Sequence, residues 1–288
     1  MQDRWAVGLV KQDLDSLLAV GANNWAEGGT AFPPSGLPLL SNIEWISPEA
    51  GHFLADPFLL QYKGQLCLFC EEYVASRQKG RIVALRRDSH GAWQSQVALE
   101  LSFHLSYPWV CEWEGELFCV PEQHQSGHLS LYRCTEFPHR WVEETILLEV
   151  PAVDATPFQH EGHWWMWLGA DAASAKHELH LFHAPALTGP WLPHALNPVH
   201  VRPNLARCGG SALRSQGRLL RPAQNRERTY GGSLLVYEVL ELSQKRYLER
   251  ELVRWEALPQ WPYPDGLHHL SCAGDVVAFD CKVVVEEL

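Results

Sequence analysis

The chain has 288 residues, 46% of them hydrophobic and 20% charged, and a formal net charge of −11. That is the composition of a globular protein with a sizeable core, and the acidic balance argues against a nucleic-acid partner, which would demand a basic stripe. No stretch has the roughly 18 apolar residues needed to cross a membrane, and the start MQDRWAVGLVKQDLD lacks the apolar run of a signal peptide, so the expected location is cytoplasmic.

In chain order, Arg4–Val10 reads as a strand, the Gly-, Pro- and Asn-rich stretch Asn23–Pro38 as loop, and Ile43–Ile46 as a short strand. Residues 53–73 then form the clearest unit: two apolar strands joined at Lys63-Gly64, opening with Asp56-Pro57 and closing with Glu71-Glu72. The unit recurs. Aligned on the hairpin glycine, Gly64 is followed by Gly115, Gly162, Gly217 and Gly274, at intervals of 51, 47, 55 and 57 residues. Outer strands are expected at Arg81–Arg86, His128–Arg133, His177–His183, Ser233–Leu240 and Lys282–Glu287. Strand pairs with turn signals at such a period indicate a propeller, not a helical solenoid, and helical periodicity is almost absent.

The predicted fold is therefore all-β, a single five-bladed β-propeller over residues 1–288. Blades fall near 51–101, 102–150, 151–205, 206–262 and 263–288, and residues 1–50 supply a strand and loops that close the ring onto the last blade. The eight cysteines include one CxxC, Cys67 and Cys70, but it lies in an apolar strand pattern where i and i+3 point to opposite faces. They read as reduced core residues, with no metal site and no cofactor expected.

Eight residues before each glycine stand Asp56, Tyr107, Asp154, Gly209 and Gly266, and seven after it stand Glu71, Glu122, Gly169, Gln224 and Cys281. In a hairpin both offsets fall at the open end. The first strand of each propeller blade lines the central channel, so one rim should collect Asp56, Glu71, Tyr107, Glu122, Asp154 and Gln224, with Glu72, His104, Arg207, Arg221, His268 and His269 nearby. Glycoside hydrolysis needs a carboxylic acid and a carboxylate about 5–10 Å apart. The assignment is Asp56 as base or nucleophile and Glu122 or Asp154 as acid. Glu71, His104, Tyr107, Arg207, Arg221, Gln224 and His268 are assigned to substrate binding. Glu71 would also tune Asp56 by like-charge repulsion, and Arg207 with Arg221 would form a phosphate or carboxylate clamp.

Nine motifs in order carry a resemblance: ADPF at 55–58, HLSYP at 104–108, Pro121-Glu122, LYR with FP and W between Leu131 and Trp141, VDAT at 153–156, PH..NP at 193–198, ARCGG at 206–210, RPAQ with YG between Arg221 and Gly231, and GLHH at 266–269. Over roughly residues 45–282 the chain resembles the N-terminal domain of plant glucosamine inositolphosphorylceramide transferases and their bacterial stand-alone relatives. The resemblance implies a propeller distantly similar to the arabinanase, xylosidase and levansucrase clan. In that clan a blade-one Asp is base or nucleophile, a blade-two Asp tunes it and a blade-three Glu is the general acid. Asp56 matches the first, Tyr107 stands in place of the second, and Asp154 lies near the third. The function expected is a carbohydrate-active protein of polysaccharide metabolism, glycosidase-like or a glycosyltransferase, acting on a glycan, sugar phosphate or nucleotide sugar. The alternatives are a non-catalytic glycan-binding propeller partnering a glycosyltransferase or sugar-modifying enzyme, and a transferase using a sugar-phosphate donor.

Overall fold

A computed structural model describes residues 2–22, 35–36 and 42–285. It is a five-bladed β-propeller whose five sheets follow one another along the chain. Blade 1 is built from His52–Tyr62, Gln65–Val74, Lys79–Arg87 and Trp93–Leu99, and blade 2 from Ser106–Trp113, Glu116–Glu122, Leu129–Glu136 and Arg140–Leu148. In blade 3, Val153–His160, His163–Gly169 and Glu178–Ala184 carry two short outer pieces. Blade 4 contains Leu213–Ser215, Arg218–Asn225, Ser233–Leu242 and Tyr247–Glu256. Blade 5 pairs Gly266–Ala273 with Val276–Val285, and its third and fourth strands come from the other end of the chain, Gln2–Lys11 and Glu44–Ile46.

Turn chemistry sets this regularity. In four blades the two central residues of the first hairpin both have positive φ: Lys63-Gly64, Glu114-Gly115, Glu161-Gly162 and Gln216-Gly217. That is the type I′ conformation, whose twist matches the flanking strands. In blade 5 only Gly274 is positive, and it is the first turn residue, between paired Ala273 and Val276.

Two local expectations are corrected. Lys282–Glu287 is not an outer strand: through Val285 it continues the second strand of blade 5, because VVAFDCKVVV contains no turn residue. The helix Leu14–Ala22 was not anticipated. Asp13 starts it by accepting the amide of Ser16 at 2.8 Å, a capping contact, and Leu14, Leu17 and Leu18 are buried. The predicted loop Asn23–Pro38 lies outside the described residues, except for Ser35–Gly36, which runs parallel to Trp255-Glu256. Among the described residues no helix is long and apolar enough to cross a membrane. All eight cysteines are free thiols, six of them buried.

Aromatic side chains pack within and between blades. Trp167, fully buried, stacks on Phe158 at 4.0 Å, and Phe69 of blade 1 meets Phe137 and Trp141 of blade 2. Such rings contribute roughly 3–5 kcal/mol each against truncation to alanine.

Candidate active site

The inner strands of blades 1, 2, 3 and 5 break register at one level. Ala55 pairs with Glu71 and Phe58 with Phe69, so Asp56 and Pro57 together oppose Cys70. The same bulge sets Tyr107 and Pro108 against Pro121, Asp154 and Ala155 against Leu168, and His268 and His269 against Asp280. Bulges of this kind re-aim side chains at barrel rims and active sites. Here Asp56, Tyr107 and Asp154 have φ of 53°, 44° and 51°, a left-handed conformation that is uncommon for non-glycine residues and concentrates at functional sites. In blade 4 the matching place is taken by Gly209-Gly210. A Cβ on Gly210 would come within 1.9 Å of the Leu270 carbonyl oxygen, so only glycine fits.

Tyr107 closes the channel floor. Its hydroxyl bonds Thr156 Oγ1 at 2.8 Å, donates to the Gly210 carbonyl at 3.0 Å and accepts the Gly210 amide at 3.0 Å. Phe58 and His269 pack edge-on against its ring. The phenol is consumed by the scaffold, so its expected substrate contact has no free group to make it.

Above this floor sit the acids. Asp56 accepts the Tyr107 amide at 3.2 Å, while its own amide donates to Asp280 at 2.9 Å. His268 Nε2 and His269 Nδ1 lie 3.7 and 3.5 Å from Asp56 Oδ1. Burial alone would raise the Asp56 pKa, but His269, His268 and Arg207 outweigh it and hold the carboxyl at about 2. Asp280 Oδ1 accepts His268 Nδ1 at 2.7 Å and the amides of His268 and His269. Against the pull of burial, Asp280 and then Asp56 raise the His268 pKa. Asp56, His268 and Asp280 each offer a ligand atom within 4.8 Å of the others, the one such trio among the described residues that could hold a metal. His268 Nδ1 is already bonded to Asp280, which is saturated by N–H groups, and His268 Nε2 faces Asp56 only at ion-pair distance.

Across the channel, one guanidinium serves two carboxyls. Arg207 donates through Nε and Nη2 to Asp154, the latter at 3.1 Å, and through Nη2 to Glu122 at 3.3 Å. Gln224 Nε2 adds a bond to Asp154 at 3.2 Å, and His124 Nδ1 bonds Glu122 at 2.8 Å. One cation cannot neutralise both acids, and their pKa values separate. In Glu122 the His124 bond and Arg207 overcome burial and lower the pKa. In Asp154 burial wins over Arg207, with Glu122 and Asp56 adding repulsion, and the pKa rises to about 7.

Among the described residues Glu71 pairs with no Arg or Lys, and its Oε1 has no hydrogen-bond partner. Burial, then the charges of Asp56, Glu122 and Asp280, outweigh Arg207 and push its pKa well above the carboxylate range. His104 Nδ1 accepts the Gly80 amide at 3.0 Å, which leaves the neutral ring's proton on Nε2, 3.5 Å from Glu71 Oε1. Gly80 makes room for both, since a Cβ there would stand 2.5 Å from Glu71 Oε1 and 2.8 Å from His104 Cε1.

The channel mouth thus brings together Asp56, Glu71, His104, Glu122, Asp154, Arg207, Gln224 and His268. Arg221 and Glu72 lie elsewhere. Arg221 is three residues from Gln224 and so faces the other side of its strand. Its guanidinium grips Glu249 at 2.8 and 2.7 Å and the Ala206 carbonyl at 3.2 Å, which rules out a clamp shared with Arg207. Glu72, adjacent to Glu71, pairs with His52 and Arg81 at 2.9 and 2.7 Å. Asp280, His124, Trp5, Tyr230 and Arg226 belong to the site and were not anticipated. Trp5 stacks on His268 at 4.0 Å, and Tyr230 lies under both Arg207 and Arg226.

Among solved structures, similar folds include the family 117 glycoside hydrolase Zg3597 of Zobellia galactanivorans (TM-score 0.56, 12% identity, 82% of this chain and 87% of that one) and an exo-β-1,3-galactanase of Phanerochaete chrysosporium (TM-score 0.55, 10% identity, 74% and 54%). Glucosamine inositolphosphorylceramide transferase 1 of Arabidopsis thaliana is 33% identical over 259 residues, covering 86% of this chain and 34% of the relative. The protein of the same name from Oryza sativa subsp. japonica is 31% identical over 258 residues, covering 85% and 34%. The chain therefore spans about a third of the length of these curated relatives. Residues 2–257 match the profile described as glucosamine inositolphosphorylceramide transferase 1, N-terminal, and the chain belongs to that family.

Proposed function

We propose that the channel mouth is a carbohydrate-active site of glycoside-hydrolase type, acting on a glycan or an activated sugar in polysaccharide metabolism. The observation that carries this reading is the division of four buried carboxyls into two protonation classes. Asp56 and Glu122 are held ionised, whereas Asp154 and Glu71 are pushed towards the neutral acid. Pairs of acids with separated pKa values are the working parts of acid–base catalysis. In the proposed reaction Asp154 gives its proton to the departing glycosidic oxygen. The Asp56 carboxylate either attacks the anomeric carbon or takes a proton from the attacking water. His268 and Asp280 position Asp56, and neutral Glu71 donates a hydrogen bond to a sugar hydroxyl. The family relationship, with relatives named glucosamine inositolphosphorylceramide transferase 1, supports a sugar ligand.

A second reading has its own support. Arg207 closes Asp154 and Glu122 into an ion-paired cluster, an arrangement that suits a glycan-binding module working beside a glycosyltransferase. Turnover of a panel of aryl glycosides and oligosaccharides by the wild type, Asp56→Asn and Asp154→Asn separates the two. A drop of at least about 100-fold in both variants with melting temperatures retained supports the enzyme, given what acid–base groups contribute. Equal rates in all three eliminate it.

A further inference from the structure

The expected anion clamp paired Arg207 with Arg221, and both are committed to carboxylates. A third arginine, Arg226, is not. It follows Gln224 and Asn225 at the end of the second strand of blade 4, beside the channel mouth, and its side chain is only partly exposed. Its guanidinium lies 4.9 Å from the centroid of the Tyr230 ring, the ring that Arg207 also approaches at 5.7 Å. Among the described residues it has no carboxylate, carbonyl or hydroxyl acceptor. A guanidinium has five N–H donors and no way to shed its charge, and the half-buried Arg226 keeps its donors open to the channel mouth. Yet the chain has 34 acidic residues to 23 Lys and Arg, and nearby arginines find partners: Arg228 has Glu256 and Arg250 has Glu238. Even the adjacent Glu227 turns away, to Asn225 Nδ2 at 3.3 Å and Arg254 Nη1 at 3.4 Å.

The residue is also held in place. Its amide donates to the Asn204 carbonyl at 2.9 Å, and the following loop is closed by Gly232 N–H to Asn225 C=O at 3.0 Å. A planar donor fork on a rigid base, backed by an aromatic ring and lacking an acceptor, is the arrangement that binds an oxyanion in two-point fashion. Burial, then repulsion from Arg207, also lowers the pKa of Arg226, and a bound anion would relieve both.

We propose that Arg226 is the oxyanion-recognition residue of the channel mouth, so that the ligand is a sugar carrying a phosphate or carboxylate group. This rests on the proposed carbohydrate site and narrows its substrate class. The anion sits on Arg226 and the Tyr230 edge, and the sugar ring extends from there towards Asp154 and Asp56.

The test is calorimetric titration of the intact protein with inorganic phosphate, glucose 1-phosphate, glucuronate and glucose, repeated on Arg226→Gln and Arg226→Lys after their melting temperatures are checked. The expected result is that glucose 1-phosphate or glucuronate binds more tightly than glucose. Arg226→Gln should weaken that ligand by about 10- to 100-fold, the worth of charge-assisted hydrogen bonds, while Arg226→Lys, which keeps the charge but loses the fork, should weaken it less. Preference for glucose 1-phosphate identifies phosphate as the group, and preference for glucuronate identifies carboxylate. Inorganic phosphate binding that is lost in Arg226→Gln, with no sugar bound, upholds the anion site and overturns the carbohydrate reading. Glucose binding as tightly as its charged analogues, unaffected by either variant, overturns the anion site and leaves the carbohydrate reading standing. No binding by any of the four overturns both.

Discussion

Replacing Arg207 by Met should destabilise the protein more at alkaline than at acidic pH. Its guanidinium is the shared partner of Asp154 and Glu122, whose side chains are 2% and 6% exposed, and is itself 17% exposed. Removing one member of a buried ion pair costs about 3–5 kcal/mol, because the remaining charge has neither partner nor water. For a chain of this size that lowers the melting temperature by roughly 5–8 °C. The pH dependence follows from linkage. In the wild type the lowered pKa of Glu122 contributes stability above its ordinary value of 4.5, lost as pH falls through the lower folded value. Asp154, raised from 3.8 to about 7, opposes folding increasingly as pH climbs between those values. Without Arg207 both folded pKa values move up, so the variant loses stability relative to the wild type as pH rises. Melts at pH 5 and pH 8 should therefore show the larger deficit at pH 8, and adding Asp154→Asn should recover part of it, since contacting residues couple. A deficit below about 1 kcal/mol, as for a surface pair, or one equal at both pH values, would refute the buried shared-cation account.

If Asp154 is the proton donor, turnover should be level on the acid side and fall as pH rises through about 7, while Asp56, at about 2, stays ionised throughout; a rate that rises through pH 7 contradicts the assignment. Tyr107→Phe should lower stability by about 1–3 kcal/mol in thermal melts, because the Gly210 amide and carbonyl and Thr156 lose a shared partner; an unchanged melt would mean that water replaces the phenol. Gly210→Ala should cost more than about 3 kcal/mol, or prevent folding, because its Cβ would collide with the Leu270 backbone at a φ of +138°; a folded variant with wild-type circular dichroism and melting temperature would show that blades 4 and 5 can separate there.

Much of the fold is legible in the sequence because its determinants are local. The pairs Lys63-Gly64, Glu114-Gly115, Glu161-Gly162 and Gln216-Gly217 each set a hairpin, and the spacing of the hairpin glycines, with Gly274 as the fifth, counts the blades. The site was legible where hairpin registers are equal: the offsets of eight and seven residues bring Asp56, Glu71, Tyr107, Glu122 and Asp154 to one level. Blade 5 breaks the rule. Its glycine is the first turn residue instead of the second, and its inner strand is one residue shorter between bulge and turn. The offset before the glycine therefore landed on Gly266 instead of His268, whereas the offset after it reached Cys281, which pairs with Leu267 as Glu71 does with Ala55; Asp280 was passed over because it opposes the bulge, where the other blades place Cys70, Pro121 and Leu168. A signal was available, since an Asp inside the apolar run VVAFDCKVVV is a buried charge that must have partners. Arg221 shows the opposite limit. Its nearness in sequence to Gln224 suggested a shared site, and strand alternation sends it to Glu249 on the other face. Trp5 and Tyr230 reach His268 from distant parts of the chain, and no local pattern reveals such meetings.

The most direct test of the carbohydrate-site proposal is a crystal structure of Asp56→Asn soaked with oligosaccharides and sugar phosphates. The account predicts a sugar ring at the channel mouth with its anomeric carbon beside residue 56 and the glycosidic oxygen within hydrogen-bonding reach of Asp154. Sugar bound elsewhere on the molecule, with the mouth occupied only by solvent, would contradict it.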